Sequence, residues 1–156
     1  MKRCIITVTA VILLLSASPT REAEAAPGHP GIRLGLTDDP DTITGGFFYE
    51  FLVTRLGRSG FLTLEPGIDI GFGDDADLIT IRGTFNAHFI FLVGRDVQLY
   101  PLIGGSVYYY NVDGGGDGTE GGLNLGGGVQ FDRFSFEFWF GIDDIPDFTF
   151  LFGISF

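Results

Sequence analysis

Phe148-Thr149-Phe150-Leu151-Phe152-Gly153-Ile154-Ser155-Phe156 sets Phe148, Phe150, Phe152, Ile154 and Phe156 on one parity. Thr149, Gly153 and Ser155 take the other, with Leu151 out of pattern. A period of two marks a strand, whose successive side chains point to opposite faces. This strand has an aromatic face and a small, mostly polar face. Whether the rest of the chain or something outside it covers the aromatic face decides both fold and function.

Working back from that stretch, the same pattern recurs. Phe134, Phe136, Phe138 and Phe140 alternate with Ser135, Glu137 and Trp139. Leu62, Leu64, Pro66, Ile68, Ile70 and Phe72 alternate with Thr63, Glu65, Gly67, Asp69 and Gly71. Eight strands are predicted, at about 31–37, 45–56, 61–72, 78–93, 97–110, 121–131, 133–141 and 148–156. No helical period is found between them. Pro66 and Pro101 lie on the apolar parity, where a missing N–H predicts bulges or local breaks rather than strand ends.

The first segment stands apart. Lys2 and Arg3 precede an apolar run from Ile5 to Leu15, and Ala23-Glu24-Ala25 has the form of a cleavage site. Residues 1–25 are expected to be a secretory signal peptide, and 26–156 a single barrel domain. The apolar run is too short for a membrane-crossing helix. The only cysteine, Cys4, lies in the leader, so no disulfide framework is expected. Nine basic residues less Lys2, Arg3 and Arg21 leave six arginines and no lysine. Twenty acids less Glu22 and Glu24 leave eighteen, for a formal charge of −12. Nothing supplies the basic footprint of a nucleic-acid partner.

The connections alternate in character. The odd ones are acidic, as in Thr37-Asp38-Asp39-Pro40-Asp41-Thr42, 73–77, 111–120 and 143–147. The even ones are tight and carry arginine: Gly57-Arg58-Ser59-Gly60, Gly94-Arg95-Asp96 and Asp132-Arg133. In an antiparallel up-and-down sheet odd and even connections emerge at opposite ends. One end is therefore strongly negative, with the longer loops, and the other is trim and mildly positive.

Alternation alone leaves open which face points inward. A soluble barrel would bury the aromatics. The second face, however, is mostly Gly, Ser, Thr, Asn and Gln, too poor in charge for a water surface. The first face has more bulk than an eight-stranded interior can hold. Against lipid the same residues need no partner, and closure satisfies every backbone hydrogen bond, as a bilayer requires. The predicted fold is all-β, an eight-stranded antiparallel up-and-down transmembrane β-barrel.

From Gly31 to Phe156 the chain resembles the small eight-stranded OmpA-type outer-membrane barrels of Gram-negative bacteria. The resemblance rests on topology and on the last strand. It implies export through the periplasm to the cell outer membrane, with lipids and lipopolysaccharide as surroundings. It also implies that the barrel-assembly machinery recognises Phe152, Ile154 and Phe156. The family's usual glycine five residues before the end is Leu151 here. By the same resemblance the Arg-bearing turns face the periplasm and the acidic loops face outside.

Three sets of residues are candidates for chemistry. Glu50, Glu65, Arg82 and Glu137, with Arg33 and Asp69 nearer the ends, form an interior charge set that must pair when removed from water. It is expected to plug the interior, the alternative being a gated conduit. Arg82 can bridge two carboxylates. The acidic rim offers Asp113 and Asp117 as weak candidates for divalent cations, but the spacing is not that of an EF-hand. Finally, His88 and Ser106 share the interior parity, whereas the lipid-deacylating barrels of this family, by resemblance, carry their pair outside. His88, Trp139 and Leu151 are expected to fill the interior. The expected function is non-enzymatic, structural or surface-contact, with no cofactor and a monomeric state. A small-solute channel or cation-binding surface protein is the first alternative, a lipid-modifying enzyme the second.

Overall fold

The computed structural model describes residues 28–38, 41–73, 78–93, 97–112 and 116–156. The expected signal peptide, 1–25, lies outside them, as do Asp113 and the middles of several acidic connections. Eight strands follow in chain order: β1 (His29–Asp38), β2 (Thr42–Arg55), β3 (Gly60–Gly73), β4 (Leu78–Leu92), β5 (Val97–Val112), β6 (Gly116–Phe131), β7 (Phe134–Asp143) and β8 (Phe148–Ser155). Each pairs antiparallel with the next, and β8 pairs with β1 from Gly31↔Ser155 to Asp38↔Phe148. The sheet closes into a barrel. Closure leaves no strand edge unpaired, the condition a bilayer imposes on a sheet.

The orientation of the two faces follows the sequence period. Phe134, Phe136, Phe138 and Phe140 point outward and are exposed, while Ser135, Glu137 and Trp139 between them are buried. Around the barrel the outward face repeats the same chemistry, with Leu34 65% and Phe47 66% exposed. Inside, Asp69 is 1% and Asn86 0% exposed. The outer phenyl rings of β7 and β8 pack on one another, Phe136 lying 5.1 Å from Phe152 and Phe140 5.6 Å from Phe148. Leu151, the exception to alternation, is buried in the interior with Trp139, Tyr100, Leu102 and Ile90.

Three details sharpen the sequence reading. Strands β5 and β6 are longer than predicted, pairing up to Val112↔Gly116. The glycine-rich stretch read as a loop over 111–120 is therefore mostly hairpin. Gly118 there accepts a cross-strand ring, because a Cβ on it would lie 2.5 Å from Tyr110 Cζ. Second, of the two outcomes expected at the prolines, both make local breaks and neither makes a bulge. The pairing of β2 with β3 lapses beside Pro66 and that of β4 with β5 beside Pro101, each resuming in the same register. A missing N–H removes a ladder bond without shifting the strand. The β2–β3 register shift lies instead at Leu52/Thr54. Third, β2 turns Phe48 inward, 6% exposed, beside the outward Phe47 and Tyr49.

The β2–β3 and β6–β7 connections are tight, as predicted, while Gly94-Arg95-Asp96 lies outside the described residues. Leu56 N donates to Gly60 O at 2.8 Å across the β2–β3 turn. In the β6–β7 turn Asp132 adopts φ 54°, a conformation that Asp tolerates better than most residues.

Candidate functional site

Antiparallel register decides which interior side chains meet. Arg33 on β1 is level with Gly46 on β2, and Gly46 with Asp69 on β3. Gly46 has no side chain, so Arg33 reaches across it to Asp69. A Cβ there would collide with the Asp69 carboxylate and lie 2.8 Å from Asp69 Cα. The same device recurs twice. Asn86, Gly104 and Asn124 form one row across β4, β5 and β6. Asn124 Nδ2 donates to Asn86 Oδ1 at 3.2 Å over that glycine. Tyr100, Gly128 and Glu137 form the third row, and Tyr100 Oη donates to Glu137 Oε1 at 2.8 Å. Glycines of the small face are thus the gaps through which polar groups two strands apart find each other.

The Arg33 guanidinium is the hub of the first cluster. It grips Asp69 with Nε (2.6 Å to Oδ1) and Nη2 (3.0 Å to Oδ2). It also donates to Glu65 Oε1 at 2.8 Å and to Thr84 Oγ1 at 2.8 Å. Arg82, level with Asp69 on β4, donates from Nε to Asp69 Oδ2 at 3.1 Å and from Nη1 to Thr149 Oγ1 at 3.0 Å. The bridge between two carboxylates is therefore made by Arg33, not by Arg82, and Arg33 and Asp69 sit mid-cluster rather than near the ends. Staggered strands explain the difference: height in a tilted barrel does not follow position along each strand. The Trp139 ring lies 5.1 Å from Arg33 Cζ and 4.8 Å from Arg82 Cζ. Removing ions from water costs several kcal/mol each, and forked, hydrogen-bonded pairing is what offsets it.

The second cluster holds Glu50, Glu137 and His88. Glu50 Oε1 accepts from Thr63 Oγ1 at 2.7 Å and lies 3.5 Å from His88 Nδ1. His88 stacks on Tyr100 with ring centroids 4.9 Å apart. Glu137 accepts from Tyr100 and, through Oε2, from Trp139 Nε1 at 3.0 Å. Trp139 thus touches both clusters, with its ring beside the arginines and its N–H on Glu137. Tyr100 and Thr63 are polar partners that the sequence reading did not single out. Each shares the interior parity of its strand, the signal that could have found them.

His88 and Ser106 are not brought together. The Ser106 hydroxyl bonds Asn124, which donates back from Nδ2 at 2.8 Å. Both side chains are interior and buried. Asp117 is exposed in the β6 ladder opposite Asn111 rather than in a loop, and Asp113 lies outside the described residues. At the end carrying the even turns, a cavity of about 630 Å³ opens into the barrel, lined by residues including Glu50, Thr63, Phe61, Gln98, Arg133 and Phe156. Phe156 is 67% exposed, and its N–H donates to Pro30 O at 2.9 Å.

No protein-family model and no curated protein matches the sequence. Solved structures do match in fold. The crystal structure of Ail, the attachment invasion locus protein of Yersinia pestis, superposes with a TM-score of 0.53 at 15% identity, covering 83% of this chain and 97% of that one. The outer membrane enzyme PagL superposes with a TM-score of 0.51 at 12% identity, covering 81% and 96%. The fold is that of the small eight-stranded outer-membrane barrels.

Proposed function

We propose that this chain is an integral outer-membrane barrel with a non-enzymatic role, either structural or in surface contact, whose interior is plugged. The observation that carries this reading is the inversion of its faces. A continuous belt of exposed Phe, Ile, Leu and Val surrounds a core of buried Arg, Asp, Glu, Thr and Asn. Such a belt is far larger than a soluble monomer exposes, and it suits lipid acyl chains. Lipids and lipopolysaccharide are its immediate partners, and the acidic odd connections are the surface presented outside.

Two proteins with this fold carry different names, an attachment protein and an enzyme, so the fold alone does not choose between roles. Against a lipid-directed Ser–His enzyme stands the position of His88, enclosed in the barrel with its Nδ1 facing Glu50. Against a channel stands the middle of the barrel, where Arg33, Asp69, Arg82 and Trp139 are all 3% exposed or less. The role is tested in cells and in planar bilayers together. Expression is expected to leave the lipid A profile unchanged, and purified barrel is expected to give no conductance steps. A deacylated or otherwise altered lipid A would establish the enzyme; regular steps would establish the channel.

A further inference from the structure

The interior clusters do not balance in charge. Among the described residues, Glu50, Glu65, Asp69 and Glu137 face only two guanidinium groups, those of Arg33 and Arg82. Asp69 takes both arginines, and Glu65 takes one arm of Arg33. Among the described residues the donors to Glu137 are neutral, the Tyr100 hydroxyl and the Trp139 indole N–H. With a neutral imidazole the interior is short of two positive charges.

The shortfall is localised. One ligand atom each from Glu65, His88 and Glu137 lie within 4.8 Å of one another, and all three side chains are buried. His88 is 2% exposed, and its Nε2 is buried with no hydrogen-bond partner. A buried imidazole nitrogen left without a partner calls for an explanation. Its other nitrogen, Nδ1, faces the Glu50 carboxylate at 3.5 Å. A proton on Nδ1 directed at Glu50 leaves the Nε2 lone pair free. This carboxylate–imidazole arrangement is the one that orients a histidine toward a metal ion and raises its basicity. Glu137 is likewise oriented from behind, by Tyr100 and Trp139, and Glu65 by Arg33.

From this arrangement we infer that Glu65, His88 and Glu137 form a buried binding site for one divalent transition-metal cation, of which Zn²⁺ is the type. Imidazole with two carboxylates suits zinc and its neighbours better than calcium or magnesium, which take oxygen ligands. Ligands about 2.0–2.2 Å from a tetrahedral ion stand roughly 3.4 Å apart, so the three side chains close slightly around it. The ion supplies the two missing charges. It enters from the cavity at the even-turn end, whose lining includes Glu50 and Thr63. The site is distinct from the acidic rim, and its role is to lock the plug.

The test uses untagged protein purified from outer membranes in detergent, incubated with Zn²⁺, dialysed and assayed for metal. The site predicts one zinc per chain. His88→Gln and Glu137→Gln are expected to abolish this uptake, and Glu50→Gln to weaken it about 10- to 100-fold. His29→Ala and Asp117→Asn are expected to retain it. Folding of each variant is checked by its heat-dependent migration in detergent gels. If the interior variants do not fold, the zinc-edge X-ray absorption spectrum of wild type decides, with one imidazole nitrogen and carboxylate oxygens expected. No uptake by wild type, uptake unaffected by His88→Gln, uptake lost in His29→Ala or Asp117→Asn, or an all-oxygen shell would each overturn the assignment. The first of these would mean that protons supply the missing charge.

Discussion

At the scale of single residues, the interior depends on glycines as much as on charges. Gly46 lets Arg33 reach Asp69, and Gly104 lets Asn124 reach Asn86. A methyl group at either position must displace a buried polar pair. Gly46→Ala and Gly104→Ala are each expected to destabilise the barrel by about 1–3 kcal/mol, the usual cost of overpacking a filled core. Gly83 faces outward and a Cβ there meets nothing within 4 Å. Gly83→Ala should therefore be neutral or stabilising by up to about 1 kcal/mol. Urea unfolding in lipid vesicles measures all three. Arg33→Ala is the harsher change, because it strips Glu65 of its ion pair and leaves Asp69 with Arg82 alone. Its expected cost is about 3–5 kcal/mol, against no more than about 0.5 kcal/mol for Arg58→Ala in the exposed turn. These partnerships were only half legible in the sequence. Arg33, Asp69 and the intervening glycine were all visible, and parity put the charges on one face. Register was not visible, and register alone makes Arg33, Gly46, Asp69 and Arg82 one row. Hence Arg82 looked like the bridge and Arg33 looked peripheral.

At the scale of the strand, period two was enough to find every element. Each strand keeps one face apolar for most of its length, and no competing helical period intrudes. Boundaries were less legible where composition misleads. The run 113–120 is rich in Gly and Asp, which suggests a loop, but most of it pairs as β6 against a tyrosine-bearing β5. Pro66 and Pro101 suggested bulges or local breaks, and register decides for the break. The structure shows that each simply omits pairing on one side. Strand β7 is the sharpest test of face assignment. Phe138→Arg on its outer face is expected to cost about 2–4 kcal/mol if the position lies near the bilayer midplane, the depth at which a lipid-facing cation is most unfavourable. Unfolding free energy in vesicles reads this directly, and a cost below about 1 kcal/mol would place Phe138 in water or at the interface.

At the scale of the whole molecule, closure, an apolar belt and a plugged polar interior all describe one object. Closure removes edges, and on the function proposed above the belt meets lipid and the paired interior charges form the plug. All of this rests on the phenylalanine comb of β7 facing lipid. The chain's single cysteine, Cys4, lies in the expected leader, so the barrel from Ala26 permits one spin label at a time at each position from 134 to 140. In lipid vesicles, collision with oxygen, which concentrates in the acyl region, is compared with collision with a water-soluble nickel complex. High oxygen accessibility is expected at 134, 136, 138 and 140, with low values for both reagents at 135, 137 and 139. High nickel accessibility on the phenylalanine positions, or an inverted alternation, would contradict it.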